Sequence, residues 1–210
     1  MDGMADAGRV IAGTARGTRL VAPGSGTRPL ADRVKQTLFA ILEPDLSGAV
    51  VLDLFAGSGA AGIEALSRGA GRAVFVERDA GAARTIEENL RRAGLAGDAA
   101  VVRRADALHY LDDVAGRDGP FDVVIVDPPY AEPGLVVAVL ERLGDAGAAG
   151  LLAADARVVA KHFWRQRPPA RSGLLASERE RRFGETALTF YRVAPGDRAA
   201  SRTAPAGEAG

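Results

Sequence analysis

Short runs of apolar residues alternate with amphipathic segments of helical length over most of the chain. Five of the apolar runs have the length of buried β-strands, at residues 49–54, 72–76, 100–103, 121–126 and 156–160. Segments with helical spacing of their apolar residues stand among them, at about residues 60–68, 79–93 and 134–143. Regular alternation of strand and helix predicts a doubly wound, mostly parallel α/β sheet.

Both ends of the chain depart from this alternation. Segments 173–182 and 186–193 predict a C-terminal antiparallel hairpin, and segments 9–12 and 18–21 predict a small N-terminal β-hairpin. A helix is predicted over residues 30–42. We therefore divide the chain into four parts: a disordered leader at 1–8, a hairpin and linker at 9–29, the main domain at 30–193 and a disordered tail at 194–210.

Composition excludes several classes of protein. There is no cysteine, which rules out disulfides, thiolate zinc sites and a cysteine nucleophile. No apolar run has the length of a membrane span, and the N-terminus has no signal-peptide pattern. We expect a cytoplasmic protein that is a monomer, has no membrane partner and holds no metal. His109 and His162 stand alone and are expected to have structural or surface roles, and Phe163 and Trp164 are expected in the core.

The 27 basic and 27 acidic side chains cancel, but the two signs are unevenly distributed along the chain. A basic N-terminal stretch precedes the first predicted strand of the main domain. Basic side chains of this kind contact nucleic-acid phosphates without determining sequence. The predicted RNA-binding residues are Arg9, Arg16, Arg19, Arg28, Arg33 and Lys35.

Four carboxylates stand at or just beyond the ends of four successive predicted strands: Asp53, Glu77, Asp106 and Asp127. The carboxyl ends of parallel strands meet at one edge of an α/β sheet, and ligands bind there. A single acid in such a place is often only a helix cap. Four acids at the same edge predict a binding site.

A glycine loop lies among these acids. Residues 57–62, Gly-Ser-Gly-Ala-Ala-Gly, match the dinucleotide-binding pattern, with Glu77 about twenty residues further on. Asp53 argues against a dinucleotide, because a nearby buried carboxylate would repel a pyrophosphate. It would attract the amino group and sulfonium of S-adenosylmethionine. Glu77 would then accept the two ribose hydroxyls, and Asp106 would accept the adenine amino group.

The cofactor predicted from this loop is S-adenosylmethionine, with S-adenosylhomocysteine as its product. The predicted cofactor-binding residues are Asp53, Phe55, Ala56, Gly57, Ser58, Gly59, Glu77, Arg78, Asp106, Ala107 and Asp127.

Asp127, Pro128, Pro129 and Tyr130 follow the apolar run at 121–126 and are predicted to be catalytic. Two prolines cannot continue a strand, so the chain turns out of the sheet here. The Asp127 carboxylate and the Pro128 carbonyl would accept the two N–H groups of an exocyclic amine and aim its lone pair at a methyl group. Tyr130 would stack on the base, a contact worth about 1–3 kcal/mol.

Several segments together resemble a known family. They are DLFAGSGAAGIEALSRG at 53–69, DPPY at 127–130, RVIAGTARGTRL at 9–20, DRVKQTLF at 32–39 and RFGETALTFY at 182–191. The chain is similar in these segments to the bacterial 16S ribosomal RNA guanine-N2 methyltransferases. The glycine loop and DPPY occur in many amino-methylating enzymes, whereas the arginine-rich stretch joined to segment 32–39 is the specific part.

The resemblance implies a class I methyltransferase, Rossmann-like fold for residues 30–193. It implies that the target is the N2 amine of a guanine in small-subunit rRNA, presented as RNA or as an assembled or assembling 30S subunit. One departure concerns the end of the fifth strand, where Lys161-His162 stands in place of an expected acid.

Other functions remain open at the level of sequence. The acid-Pro-Pro-aromatic device also serves N6 methylation of adenine in DNA or RNA and methylation of a protein glutamine. An NAD-dependent oxidoreductase would bind its dinucleotide at the glycine loop. A catalytically silent RNA-binding module is a further alternative. The basic hairpin and Asp53 favour the rRNA methyltransferase.

Overall fold

The computed structural model describes residues 6–24, 32–113, 115–132, 134–145 and 150–194. Ten strands form two sheets: β1 Asp6–Arg9, β2 Arg19–Val21, β3 Val50–Leu54, β4 Arg72–Glu77, β5 Ala100–Arg104, β6 Phe121–Val126, β7 Leu152–Phe163, β8 Arg171–Ser172, β9 Leu175–Phe183 and β10 Thr186–Val193. Strands β1 and β2 pair with each other, and the other eight form one sheet in the order β5-β4-β3-β6-β7-β10-β9-β8. Its first five strands are parallel and its last three antiparallel, which confirms the predicted architecture.

In the described ranges six α-helices accompany the strands: α1 Asp32–Leu42, α2 Ala60–Ser67, α3 Ala80–Arg92, α4 Ala107–Asp113, α5 Ala115–Asp118 and α6 Gly134–Gly144, with a short 3-10 helix at Glu43–Asp45. Strand side chains are apolar on both faces because helices cover both. Val51, Phe75 and Ile125 join one core cluster, while Leu52 and Val124 join the other. The longest α-helix in the described ranges, α3, has 13 residues, and no helix there is long and apolar enough to cross a membrane.

The sequence missed the short elements and misplaced some ends. Helices α4 and α5 and strand β8 were not predicted, and the predicted strand at 156–160 extends in both directions to become β7. The leader predicted at 1–8 is corrected for its last three residues, because Asp6 pairs with Val21 in the N-terminal hairpin. Residues 1–5, Arg28 and the predicted tail beyond residue 194 lie outside the described residues.

The N-terminal hairpin is fastened to the main domain by buried polar side chains. Glu64 of α2, fully buried, accepts hydrogen bonds from the backbone amides of Ile11 and Ala12 at 2.7 and 3.0 Å. Buried Asn89 of α3 accepts from the Val21 amide at 2.8 Å and donates to the Val21 carbonyl at 2.9 Å. Without Glu64 and Asn89, these backbone groups of the hairpin would have to hydrogen-bond to water.

Lys35 belongs to this docking surface, so its predicted contact with RNA is corrected. Its side chain is fully buried, donates to the Arg9 carbonyl at 2.5 Å and lies 3.8 Å from the Glu64 carboxylate. Burial lowers the pKa of Lys35, and the Glu64 carboxylate opposes that shift. The apolar stripe of α1 turns Lys35 inward beside Val34 and Leu38, a placement that the sequence did not indicate.

Replacing Lys35 with methionine is expected to lower the free energy of unfolding by about 2–4 kcal/mol, because Glu64 loses a buried cation and the Arg9 carbonyl loses a buried donor. Urea unfolding monitored by circular dichroism measures the change. Arg33→Met is the control, since it removes an exposed charge from the same helix. Equal stability of the two variants would contradict the docking role of Lys35.

Candidate active site

One cavity of about 760 Å³ opens at the carboxyl ends of β3, β4, β5 and β6. Its wall contains Asp53, Glu77, Asp106 and Asp127, the four acids that the sequence assigns to the strand ends. The other predicted cofactor-binding residues, apart from Gly59, also line it: Phe55, Ala56, Gly57, Ser58, Arg78 and Ala107. So do the predicted catalytic residues that follow Asp127, namely Pro128, Pro129 and Tyr130. Its volume lies within the range of small-molecule sites, about 300–1,000 Å³.

The loop between β3 and α2 depends on residues with positive φ. Phe55 has φ 63°, rare for a residue with a side chain, and Gly57 has φ 55°. Gly59, with φ 77°, is the N-cap of α2, and a Cβ there would meet Ile86 at 3.0 Å. Gly59 thus serves the loop-to-helix turn, and its predicted contact with the cofactor stays a prediction. A Cβ on Gly62 would lie 2.2 Å from the Phe75 ring, so this glycine permits close packing of helix on sheet.

Asp53 is the buried acid of the cavity, only 2% exposed. Its Oδ2 accepts a hydrogen bond from the Gly62 amide at 2.8 Å. Desolvation raises its pKa to about 8, the Gly62 hydrogen bond opposes the shift, and the nearby charges of Asp127 and Glu77 add to it. A positively charged ligand would stabilise the ionised form of this carboxyl, which fits the amino group and sulfonium of S-adenosylmethionine.

Binding of S-adenosylhomocysteine at pH 7 is expected to release close to one proton from Asp53. The free protein holds this carboxyl protonated below its pKa of about 8, and a bound ammonium group favours the ionised form. Affinity should therefore increase as the pH rises toward 8. Calorimetry in buffers of different ionisation enthalpy measures the proton count. Asp53→Asn is the control and should bind more weakly with that release abolished; an unchanged proton count would contradict the assignment.

Glu77 and Asp106 are oriented by backbone amides. Glu77 accepts from the amides of Gly57 at 2.9 Å and Asp79 at 2.8 Å, so its carboxylate is fixed beside the glycine loop. Asp106 accepts from the Leu108 and His109 amides through Oδ1 alone, as the cap of α4. The capping role and a ligand role are compatible here, because Oδ2 of Asp106 accepts no hydrogen bond and forms no ion pair in the described part of the chain.

The turn after β6 carries two adjacent hydrogen-bond acceptors, the Asp127 carboxylate and the Pro128 carbonyl. The Pro129 carbonyl accepts from the Glu132 amide at 3.0 Å, whereas the Pro128 carbonyl accepts no hydrogen bond from the residues that the structure describes. Tyr130 is 40% exposed and its hydroxyl lies 2.7 Å from Thr186 Oγ1. Asp127, the free Pro128 carbonyl and an accessible aromatic ring therefore stand together at the cavity wall, next to Asp53, Glu77 and Asp106.

Lys161 and Thr186 are site residues that sequence reasoning missed. Lys161 Nζ lies 2.5 Å from Asp127 Oδ1 and 5.1 Å from the centre of the Tyr130 ring. Lys161 lies here because β7 runs parallel to β6 and pairs Ala160 with Val126, so that the residues following these two are Lys161 and Asp127. The rule that strand ends share an edge applies to this lysine as well as to the four acids. Apolar side chains of Leu38, Val159 and Leu188 form the cavity floor.

The predicted RNA-binding residues divide into exposed and buried. Arg9, Arg16, Arg19 and Arg33 are exposed. Arg9 pairs with Asp32 at 3.4 Å and Arg19 with Asp6 at 3.1 Å, ion pairs that solvent screens. Pro23 and Gly24, directly after the hairpin, line the cavity, so the hairpin leads to the mouth of the site.

Comparison with known proteins gives the chain its family. The family model described as Conserved hypothetical protein 95 matches residues 8–192. The chain belongs to this family. Ribosomal RNA small subunit methyltransferase D of Escherichia coli (strain K12) is 37% identical over 185 residues, which cover 88% of this chain and 89% of that protein. The enzyme of the same name from Haemophilus influenzae is 42% identical over 123 residues, covering 58% of this chain and 63% of that protein.

Solved structures agree with this membership. A structure from Escherichia coli, named as the methyltransferase yhhF, has 34% identity and a TM-score of 0.76 and covers 89% of this chain and 97% of that chain. An RNA methyltransferase of Salinibacter ruber in complex with S-adenosyl-L-homocysteine shares the fold, with 19% identity and a TM-score of 0.57, over 80% of this chain and 94% of that chain. The relatives and solved structures together confirm the class I methyltransferase fold and the resemblance to bacterial small-subunit rRNA methyltransferases. The S-adenosyl-L-homocysteine bound in the Salinibacter ruber structure agrees with the predicted cofactor.

Proposed function

We propose that the chain transfers a methyl group from S-adenosylmethionine to the N2 amine of a guanine in small-subunit rRNA. The observation that carries this proposal is the shared cavity of the cofactor acids and the Asp127–Tyr130 turn. Methylation of rRNA is the activity named for relatives that match this chain over almost its whole length. A cytoplasmic, monomeric enzyme acting on naked rRNA or on a 30S subunit is part of the proposal.

The residues of the turn act on the acceptor amine. The lone pair of an exocyclic amine is delocalised into its ring, which makes it a poor nucleophile. Asp127 and the free Pro128 carbonyl would accept its two N–H groups, favour a pyramidal nitrogen and aim the lone pair at the methyl group. When bound, S-adenosylmethionine supplies the electrophilic methyl group. Asp127 then accepts the proton that the amine loses and passes it to solvent.

Most of the remaining rate acceleration comes from holding the base and the methyl donor in the reacting geometry. Tyr130, anchored through its hydroxyl to Thr186, offers one face to the base. Lys161 would hold Asp127 by its Oδ1 so that Oδ2 points to the amine. A base must leave its own stack to enter this cavity, at a cost of a few kcal/mol, which favours a loop or single-stranded target.

The hairpin supports RNA over other substrates, because a small amide or a short protein segment would have no use for its exposed arginines. Substituting Arg9, Arg16 and Arg19 together by glutamine is expected to weaken rRNA binding and to reduce the slope of log K against log salt by up to about 2, at about 0.7 per phosphate contact. Filter binding at several salt concentrations measures it. An unchanged slope would exclude the hairpin as a phosphate contact.

N6 methylation of adenine is the second candidate, favoured by the turn itself, whose two acceptors would serve either amine. Guanine rests on the specific segments of the resemblance, 9–20 and 32–39. In the fold these two segments are in contact, since Lys35 of the second donates to the Arg9 carbonyl of the first. Their packing supports a shared role in RNA recognition.

Transfer of a labelled methyl group tests the proposal. The purified chain is incubated with labelled S-adenosylmethionine and either unmodified small-subunit rRNA or subunits assembled from it, and the modified nucleoside is identified after digestion. N2-methylguanosine is expected, and the label should be absent with large-subunit rRNA. N6-methyladenosine would overturn the target, and no label in either substrate would overturn the function.

A further inference from the structure

A stack of arginine and tryptophan side chains stands on the side of the cavity that carries the Asp127–Tyr130 turn. Trp164 follows β7, and the guanidinium carbons of Arg182 and Arg165 lie 3.6 and 4.8 Å from the centre of its ring. Both arginines are exposed, and Trp164 is partly buried. We call these three residues the Arg-Trp stack. Trp164 was expected in the core and instead carries two cations at the surface.

The stack is tied to the site through the strand register. The Trp164 amide donates to the Glu185 carbonyl at 3.0 Å, and the preceding residue, Phe163, pairs with Thr186 across β7 and β10. Thr186 holds the Tyr130 hydroxyl. Trp164 therefore comes one residue after Phe163, the β7 residue that pairs with the threonine holding the Tyr130 ring.

Neither arginine of the stack has an acidic partner among the described residues. Other exposed arginines, such as Arg16, Arg84 and Arg179, also form no ion pair there, so the feature that sets Arg165 and Arg182 apart is their contact with one aromatic ring. Arg182 donates only to the Gly184 carbonyl, and Arg165 makes only the ring contact. A surface arginine that merely improves solubility is commonly mobile, whereas contact with a ring limits the motion of the guanidinium and leaves its N–H edge free.

The stack and the N-terminal hairpin lie on opposite sides of the catalytic edge. The hairpin docks on α2 and α3, which connect β3, β4 and β5, while the stack lies at β7, β9 and β10. The acceptor turn follows β6, between these halves of the sheet. A polynucleotide that enters the cavity with one base therefore has a basic surface on each side.

We propose that the Arg-Trp stack binds the phosphates of rRNA nucleotides that flank the target base, as a second RNA-contacting surface opposite the hairpin. The inference rests on the proposed function, because it takes rRNA as the substrate. RNA is favoured over an acidic protein because two planar guanidiniums on an aromatic ring bind both phosphate oxygens and the face of an unstacked base.

Trp164 is the only tryptophan of the chain, which makes it a local reporter. The wild-type protein, excited at a wavelength selective for tryptophan, is titrated with small-subunit rRNA transcribed in vitro and with subunits assembled from it. The Trp164 emission is expected to change and to saturate at the same concentration as RNA binding measured by filter retention.

Charge removal supplies the second readout. Arg165→Gln with Arg182→Gln should weaken rRNA binding about 10-fold or more at low salt and reduce the salt slope by about 1.4, two contacts at about 0.7 each. The matched control removes two paired arginines far from the site, by Arg92→Gln with Arg142→Gln, and should leave the slope unchanged. Affinity for S-adenosylhomocysteine should be the same in all three proteins.

The outcomes separate this inference from the function on which it rests. If the wild-type protein methylates neither rRNA nor subunits, the proposed function fails. If it methylates them, an unchanged Trp164 emission at saturating RNA overturns the second surface. A salt slope in the Arg165/Arg182 variant equal to that of the control variant overturns it as well.

Discussion

Replacing Asp127 with alanine is expected to lower the rate of methyl transfer by about 1,000-fold or more. The variant loses the acceptor that orients the amine and takes its proton, while the Pro128 carbonyl alone cannot fix both N–H groups. Single-turnover transfer of labelled methyl to unmodified rRNA measures the rate.

Cofactor affinity separates catalysis from structure in this variant. The buried Asp53 and the amide-bound Glu77 remain in place, so S-adenosylhomocysteine should bind to Asp127→Ala within about 3-fold of its wild-type affinity, a difference below 1 kcal/mol. Asp127→Asn is the conservative comparison, because it keeps one acceptor oxygen without the negative charge. A parallel loss of rate and cofactor affinity would make Asp127 a structural residue.

Replacing Lys161 with glutamate is expected to lower the rate by about 100-fold, the loss typical of a reacting group displaced by about 1 Å. In the wild-type protein the lysine side chain, 16% exposed, holds Asp127 by one oxygen. The variant would set a second carboxylate against it and push it out of line. The same single-turnover assay measures the effect.

Rescue by a like charge distinguishes positioning from packing. Lys161→Arg keeps a cationic donor beside Asp127 and should recover most of the rate, while Lys161→Met fills similar space without a donor and should not. All three variants should unfold at similar urea concentrations. If lysine, arginine and methionine at position 161 gave equal rates, Asp127 would need no cationic partner.

The parallel sheet and the cofactor edge were predictable because they depend on local sequence. Apolar runs of strand length, glycines at turns and an acid after each strand are all short-range signals. The four strand-end acids line one cavity for this reason. The turn at Pro128 and Pro129 was equally local, because proline cannot continue a strand.

The remaining features depend on contacts between distant parts of the chain. Lys35 is indistinguishable in sequence from an exposed basic residue of α1, and its burial follows only from its contact with Glu64, 29 positions away. The Lys161–Asp127 pair spans 34 positions and requires β7 to lie beside β6. Trp164 was placed in the core on the basis of residue type, although arginines from two segments hold it at the surface.

Asn89 sets a limit on how this protein can be shortened. Its amide group binds Val21 on the hairpin and also donates to the Ser58 carbonyl at 2.8 Å, in the middle of the cofactor loop. The linker that divides the hairpin from the main domain in sequence is therefore not a division in the fold. A chain trimmed to begin at residue 30 would take from Asn89 its two hydrogen bonds to Val21 and from Glu64 its two backbone donors, leaving Glu64 hydrogen-bonded to Arg68 and Asn89 to Ser58. The proposed RNA contacts of the hairpin are therefore best tested by substituting its surface arginines, with its backbone kept in place.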